Sequence, residues 1–138
     1  MADFQNLGYS NVQVAHNFSA AAVVGGAAFM VYMTPPTTPL QRKVAWIVGY
    51  GWGTQALSGM FFGAISYYYY GAFPDIHNIA IAALIIKMVC AVSALALVAL
   101  LLRYAEGWAD RQHLIVWQVL LALGATALTA AAFLRWFS

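Results

Sequence analysis

Four long apolar runs constrain this 138-residue chain more than any other feature of its sequence. They cover residues 12–33, 44–69, 76–102 and 113–133. Each run is long enough to cross about 30 Å of hydrocarbon as a helix. A strand in lipid would leave its backbone groups unpaired, so the runs are predicted to be transmembrane α-helices. Only 7% of the residues are charged, against about a quarter in soluble domains, which also indicates a lipid environment.

Short connections separate the four runs. A proline-rich segment at residues 34–39 follows the first run, and residues 71–75 and 105–110 separate the others. Connections of this length favour neighbouring helices that run antiparallel. We therefore expect one all-α domain over residues 1–138, an integral membrane four-helix antiparallel bundle.

Positively charged residues predict the orientation of the bundle. Arg42 and Lys43 accompany the first connection, and Arg103 and Arg111 flank the third, whereas the middle connection and the N-terminal tail have none. The positive-inside rule then predicts a protein of the bacterial inner (cytoplasmic) membrane with both termini in the periplasm, although Arg135 argues weakly against it.

Composition also limits the expected partners. A net charge of +2 gives no indication of a nucleic-acid partner. A chain with so little polar surface is expected to contact the lipid bilayer and other membrane subunits or further copies of itself. Its one cysteine, Cys90, lies in an apolar run and is expected to be a small buried residue.

Three histidines are candidate cofactor ligands. His16 is expected about one turn into the first helix, and His77 opens the third helix at the same face, so the two could meet. His113 opens the fourth helix at the opposite face. Because a neutral imidazole is a good axial ligand for iron, His16 and His77 are predicted to bind haem b near the outer interface. The alternative for each histidine is an interfacial hydrogen bond.

Lys87 lies about ten residues into the third run, roughly 15 Å deep and near the midplane. Ionisable residues at this depth are costly and are therefore functional candidates. No acid occurs inside a predicted span, since all four lie in the tail or the connections. The expected partner is a backbone carbonyl, Gln55, Ser58, another subunit, or the carboxylate of a haem or porphyrin. An uncharged lysine is the remaining alternative.

Gln55 and Ser58 lie three residues apart on one face of the second helix. Their side chains could donate hydrogen bonds to a quinone or a porphyrin, or join two helices. Gly59 and Gly63 then form a G-x-x-x-G motif, which permits close packing of a helix or of a flat cofactor.

Several of these features are similar to those of a family of small four-helix membrane proteins. The family includes the HemJ-type protoporphyrinogen oxidases and the related CopD-like domains of copper resistance. The resemblance covers most of the chain on short motifs, which are His16 followed by Gly25-Gly26, the Ser58-Gly59 step, Lys87 before small and aliphatic residues, and Arg111 before the fourth run. It implies that His16 and Lys87 are essential residues of a haem site.

Three functions are consistent with the sequence. The first is a b-type haem protein with His16 and His77 as metal ligands, serving as a small electron-transfer or accessory subunit of a membrane redox, or respiratory, complex. The second is a HemJ-like oxidase that passes electrons from protoporphyrinogen to quinone, with Lys87 as a catalytic base or carboxylate-binding group. The third is a cofactor-free structural or assembly subunit. We adopt the first as the prediction, and leave open whether the chain is itself an oxidoreductase.

Overall fold

The computed structural model describes residues 2–33 and 38–137, and these residues form an all-α fold. Its helices are α1 (Ala2–Tyr32), α2 (Thr38–Tyr70), α3 (Ile79–Tyr104) and α4 (Asp110–Phe137), with a short 3-10 turn at Ala105–Gly107. Each helix packs against its neighbours in sequence, and α4 returns to pack against α1. The predicted all-α four-helix bundle is therefore confirmed.

Three of the helical segments are long and apolar enough to cross a membrane. They are Asp3–Tyr32, Ile79–Gly107 and Asp110–Phe137. Helix α2 has 33 residues and is also long enough, but its glycines, tyrosines and Gln55 make it less apolar than the other three helices. The length and composition of the other three helices indicate a membrane protein.

Helix α1 begins ten residues before the predicted apolar span. Asp3 lies in its first turn, where a negative charge is favourable at the N-terminus of a helix. Tyr9 stacks on Phe62 of α2 with the ring centroids 6.3 Å apart. Gln5 Nε2 donates to Tyr70 Oη at 2.7 Å. These contacts with the end of α2 explain why the polar N-terminal segment continues the helix.

Helix α3 begins at Ile79, three residues after the predicted start of its span. Asn78 has a φ of 48°, in the left-handed region that asparagine tolerates better than most residues. Because a right-handed helix cannot pass through that conformation, His77 lies outside α3.

The large buried side chains occupy the half of the bundle nearest the α1–α2 and α3–α4 connections. The largest fully buried ones are Met30, Val48, Trp52, Trp117 and Leu120. Toward the other end, the helical residues 3–15, 59–70, 79–86 and 128–137 contribute only small buried residues. These are Ser66, Ala80, Ala83 and Ala130. One half of the described bundle is thus closely packed, and the other is built from small side chains.

Glycines bring α1 and α2 into close contact. A Cβ atom at Gly26 would lie 2.7 Å from Val48 Cγ2, and one at Gly51 would lie 3.2 Å from the Ser19 carbonyl oxygen. Both positions therefore depend on the absence of a side chain. Gly59, in the G-x-x-x-G motif, has nothing within 4 Å of its added Cβ, so it makes no close helix contact within the described chain.

Replacing each member of the Gly25-Gly26 pair by alanine tests this packing. We expect Gly26→Ala to lower the free energy of unfolding by about 1–3 kcal/mol, because its methyl group meets Val48. Gly25→Ala meets nothing within 4 Å and is expected to raise stability by up to ~1 kcal/mol through helix propensity. Unfolding of both variants in mixed micelles measures the difference. Equal stabilities would contradict the close approach of α1 to α2.

Candidate functional site

His16 lies near the middle of α1, with its side chain in the bundle. It follows the first helical residue by fourteen positions, about 21 Å along the axis. It is therefore about four turns into α1, whereas the sequence predicted one. Its Nδ1 atom is 2.6 Å from Ser58 Oγ of α2, and its Nε2 atom is 3.1 Å from Lys87 Nζ of α3. The Phe62 ring packs against the imidazole in a T-shaped arrangement with the ring centroids 5.7 Å apart.

Lys87 is eight residues into α3, about 12 Å from the start of the helix. It reaches His16 across the diagonal of the bundle, since α1 and α3 are not neighbouring helices. Among residues 2–33 and 38–137, the one salt bridge joins His77 to Asp75, so no described carboxylate pairs with Lys87. The partner of Lys87 within the chain is thus a second basic residue, which the sequence did not predict.

One assignment of donors and acceptors satisfies this chain of contacts. An ammonium group only donates, so Lys87 Nζ donates to His16 Nε2, which then carries no hydrogen. His16 Nδ1–H donates to Ser58 Oγ, and the Ser58 hydroxyl donates to the Thr54 carbonyl oxygen at 2.6 Å. The geometry therefore favours a neutral imidazole with its hydrogen on Nδ1.

Gln55 holds the backbone of α1 at the same level. Its Nε2 atom donates to the His16 carbonyl oxygen and, at 2.8 Å, to Ser19 Oγ. The Ser19 hydroxyl donates to the same His16 carbonyl oxygen at 3.0 Å. The amide hydrogens of Gln55 and the hydroxyl of Ser58 are thus used between and within helices, where they fix the position and the ring orientation of His16.

The other two histidines lie near opposite ends of the bundle. The His77 side chain is 73% exposed, and its Nε2 atom is 3.0 Å from Asp75 Oδ1. His113 Nδ1 is 2.7 Å from Gln41 Oε1, close to the start of α4. The structure therefore brings together His16, Lys87, Gln55 and Ser58, and it places His77 and His113 elsewhere.

Sequence reasoning missed three polar side chains in the interior. Ser19 follows His16 by three residues and therefore lies on the same face of α1. This helical spacing could have predicted that Ser19 belongs to the site. Gln41 accepts hydrogen bonds from both His113 and Trp117, and it is buried within the first turn of α2. The indole nitrogen of Trp52 is buried and has no hydrogen-bond partner. The sequence spacing of Gln41 and Trp52 gives no sign that their side chains are polar groups of the interior.

The donor set defines what the site can bind. Among residues 2–33 and 38–137, no three His, Cys, Asp or Glu side chains lie close enough to hold one metal ion. The site offers one imidazole nitrogen beside one cation, and no carboxylate of the described residues forms an ion pair with that cation. A ligand with negative charge would compensate the charge of Lys87. One imidazole nitrogen is enough to bind a metal ion whose remaining ligands come from a cofactor.

The fold and the site define an all-α membrane bundle with a histidine–lysine pair at its centre. Comparisons with protein-family models, with curated proteins and with solved structures find no match to this chain.

Two buried serines of α2 provide a matched test of the imidazole orientation. Ser58→Ala removes the acceptor of His16 Nδ1–H, whereas Ser66→Ala removes a hydroxyl that donates to the Ala72 carbonyl oxygen outside this network. We expect the Ser58 variant to lose about 1 kcal/mol of stability and to show a changed His16 Nδ1 shift, because that N–H loses its acceptor while Lys87 still donates to Nε2. The ¹⁵N shifts of the His16 ring measure the tautomer. An Nε2–H tautomer in wild type, or an Nδ1 shift that is the same in Ser58→Ala, would contradict the assignment. Ser66→Ala should leave the shifts as they are.

Proposed function

We propose that this chain is an integral membrane haem b protein that transfers electrons as a small subunit of a membrane redox complex. His16 would ligate the iron through Nε2, and Lys87 would pair with a haem propionate. The observation that carries the proposal is the contact of His16 Nδ1 with Ser58 Oγ at 2.6 Å, which turns Nε2 toward the interior of the bundle.

The support for His16 comes from its second hydrogen bond. Histidines that ligate metals generally donate their other ring N–H to an oxygen, which fixes both the tautomer and the ring orientation. Ser58 is in that position, and Gln55 fixes the backbone of the same residue. The nitrogen without a hydrogen, Nε2, is then the one suited to bind iron.

The support for Lys87 comes from its charge. A cation within a membrane span needs a partner, and the described residues supply only the imidazole of His16. Haem carries two propionates, so it would bring the missing negative charge together with the iron. Lysine has a flexible four-carbon stem, which allows its ammonium group to leave Nε2 for a carboxylate.

The role as a redox subunit rests on the cofactor and on the membrane-spanning helices. Bound haem supplies one-electron chemistry, while the protein sets its ligation and its apolar surroundings. The positive residues near the α1–α2 and α3–α4 connections support a location in the bacterial inner membrane with both termini in the periplasm.

The histidine variants test the proposal through the absorption spectrum. Wild-type protein purified with native lipid is expected to show a Soret band that moves to longer wavelength on reduction with dithionite. His16→Ala should lose at least 90% of that band. The matched variants His77→Ala and His113→Ala should retain it, because neither residue is part of the site. A colourless wild type that also fails to bind added haem would refute the proposal.

The two lysines of the chain test the role of the charge. Lys87→Met keeps an unbranched stem as far as Cε and removes the ammonium group, and we expect it to weaken haem binding by about 10- to 100-fold. Lys43→Met changes an exposed residue and should leave binding unchanged. Titration of the purified apoprotein with haem measures both affinities. Equal haem affinity in wild type and Lys87→Met would exclude a propionate contact at Lys87.

A second candidate function is porphyrinogen oxidation of the HemJ type, with quinone as the electron acceptor. The observation that favours it is the meeting of His16 and Lys87, which places a proton acceptor beside a carboxylate-binding cation. Turnover of protoporphyrinogen by the purified protein, absent in Lys87→Met, distinguishes an oxidase from an electron-transfer subunit.

A further inference from the structure

The plane of the His16 imidazole needs support from its surroundings. The χ2 torsion of histidine has broad energy wells, so it does not by itself fix the rotation of the ring about the Cβ–Cγ bond. The contact with Ser58 Oγ selects the nitrogen that faces α2, but a hydroxyl adapts to donors from several directions. The contact of Nε2 belongs to Lys87, whose stem is flexible. A further contact is therefore needed to set the plane of the ring.

Phe62 supplies that contact. It follows Ser58 by four residues, so both side chains lie on the face of α2 that packs against α1. The rings of Phe62 and His16 meet at an interplanar angle of 73° with their centroids 5.7 Å apart. Aromatic pairs at this distance favour such a T-shaped arrangement. An imidazole that turned about its Cβ–Cγ bond would lose the arrangement, so Phe62 restrains the plane of the ring.

Tyr9 in turn supports Phe62. Its ring stacks on that of Phe62 at an interplanar angle of 17°, with the centroids 6.3 Å apart. Tyr9 precedes His16 by seven residues, which places the two side chains about two turns apart on the same face of α1. Phe62 thus contacts two side chains of one α1 face. Because Tyr9 lies before the first apolar run, a residue outside the predicted span supports the site.

We propose that Phe62, supported by Tyr9, is the positioning residue that sets the plane of the His16 imidazole and thereby its rotation about the bond from Nε2 to the haem iron. The inference rests on the proposed function and extends it, because it gives the N-terminal segment of α1 a role at the site. When Lys87 pairs with a propionate, Ser58 and Phe62 remain in contact with the ring. Groups that orient a ligating imidazole also tune the metal that it binds.

The ferric cyanide complex reports the ring plane, because the ¹H shifts of its haem methyl groups follow the orientation of the axial imidazole. Phe62→Leu removes the contacting ring, and Tyr9→Leu removes the ring stacked on it. We expect both variants to change the pattern of methyl shifts and to weaken haem binding by about 2- to 10-fold. Tyr9→Phe keeps the stacked ring and should show the wild-type pattern.

A second aromatic pair near the end of α2 provides the matched control. Phe73 packs against Tyr67 with the ring centroids 5.1 Å apart, and neither ring belongs to the contacts of His16. Phe73→Leu should therefore leave both the methyl shifts and the haem affinity as in wild type.

The outcomes separate this inference from the proposed function. Haem methyl shifts that are the same in Phe62→Leu and wild type would overturn the inference alone. An equal change in Phe73→Leu would also overturn it, because it would indicate a general effect of losing an aromatic ring. A wild type that binds no haem would overturn the inference together with the proposed function.

A measurement on the apoprotein depends neither on haem nor on the folding of Phe62→Leu. The ring current of Phe62 displaces the ¹H resonances of the His16 ring, and the displacement changes with the angle between the rings. We expect Tyr9→Leu to move these His16 resonances and Tyr9→Phe to leave them in place. His16 resonances that are the same in both Tyr9 variants would overturn the support of Phe62 by Tyr9.

Discussion

The contact between Lys87 Nζ and His16 Nε2, at 3.1 Å, is the interaction on which the rest of the structure depends. A lysine in the middle of an apolar helix is tolerated only with a partner, and this one reaches a histidine across the bundle. Ser58 holds the imidazole of His16 and Gln55 holds its backbone, so that Nε2 faces Lys87. The pair remains without negative charge from the described chain, which is why the site is suited to an anionic cofactor.

Two polar contacts across the bundle fix its architecture in an apolar solvent. Lys87 and His16 join α1 to α3, and Gln41 and His113 join α2 to α4 near the other end. In lipid, apolar side chains do not favour one rotation of a helix about its axis over another. Small residues and hydrogen bonds therefore determine how the helices pack. The close approach at Gly26 serves the same purpose between α1 and α2. The large core residues then fill one half of the bundle, and the site lies where that packing ends.

The sequence was sufficient to predict the class of fold and the central residues, but not their arrangement. Apolar runs and short connections predict a helical bundle, and the cost of charge in lipid identifies Lys87. The partner of Lys87 was missed because pairing across non-adjacent helices depends on their rotation, which no single helix encodes. His77 was expected beside His16, but the left-handed Asn78 delays the start of α3 and leaves His77 exposed near the end of the bundle. The early start of α1 was missed because contacts with α2 outweigh its polar sequence.

Electron–nuclear double resonance of the ferric protein, reconstituted with haem and labelled with ¹⁵N-histidine, tests the central claim most directly. The sample is the His77→Ala/His113→Ala double variant, in which His16 is the one histidine of the chain. The proposed function predicts a strongly coupled ¹⁵N nucleus in addition to the ¹⁴N nuclei of the porphyrin, and its loss when His16 is also replaced by alanine. Haem bound without a strongly coupled ¹⁵N nucleus, or the absence of bound haem, would contradict the assignment of His16 as the iron ligand.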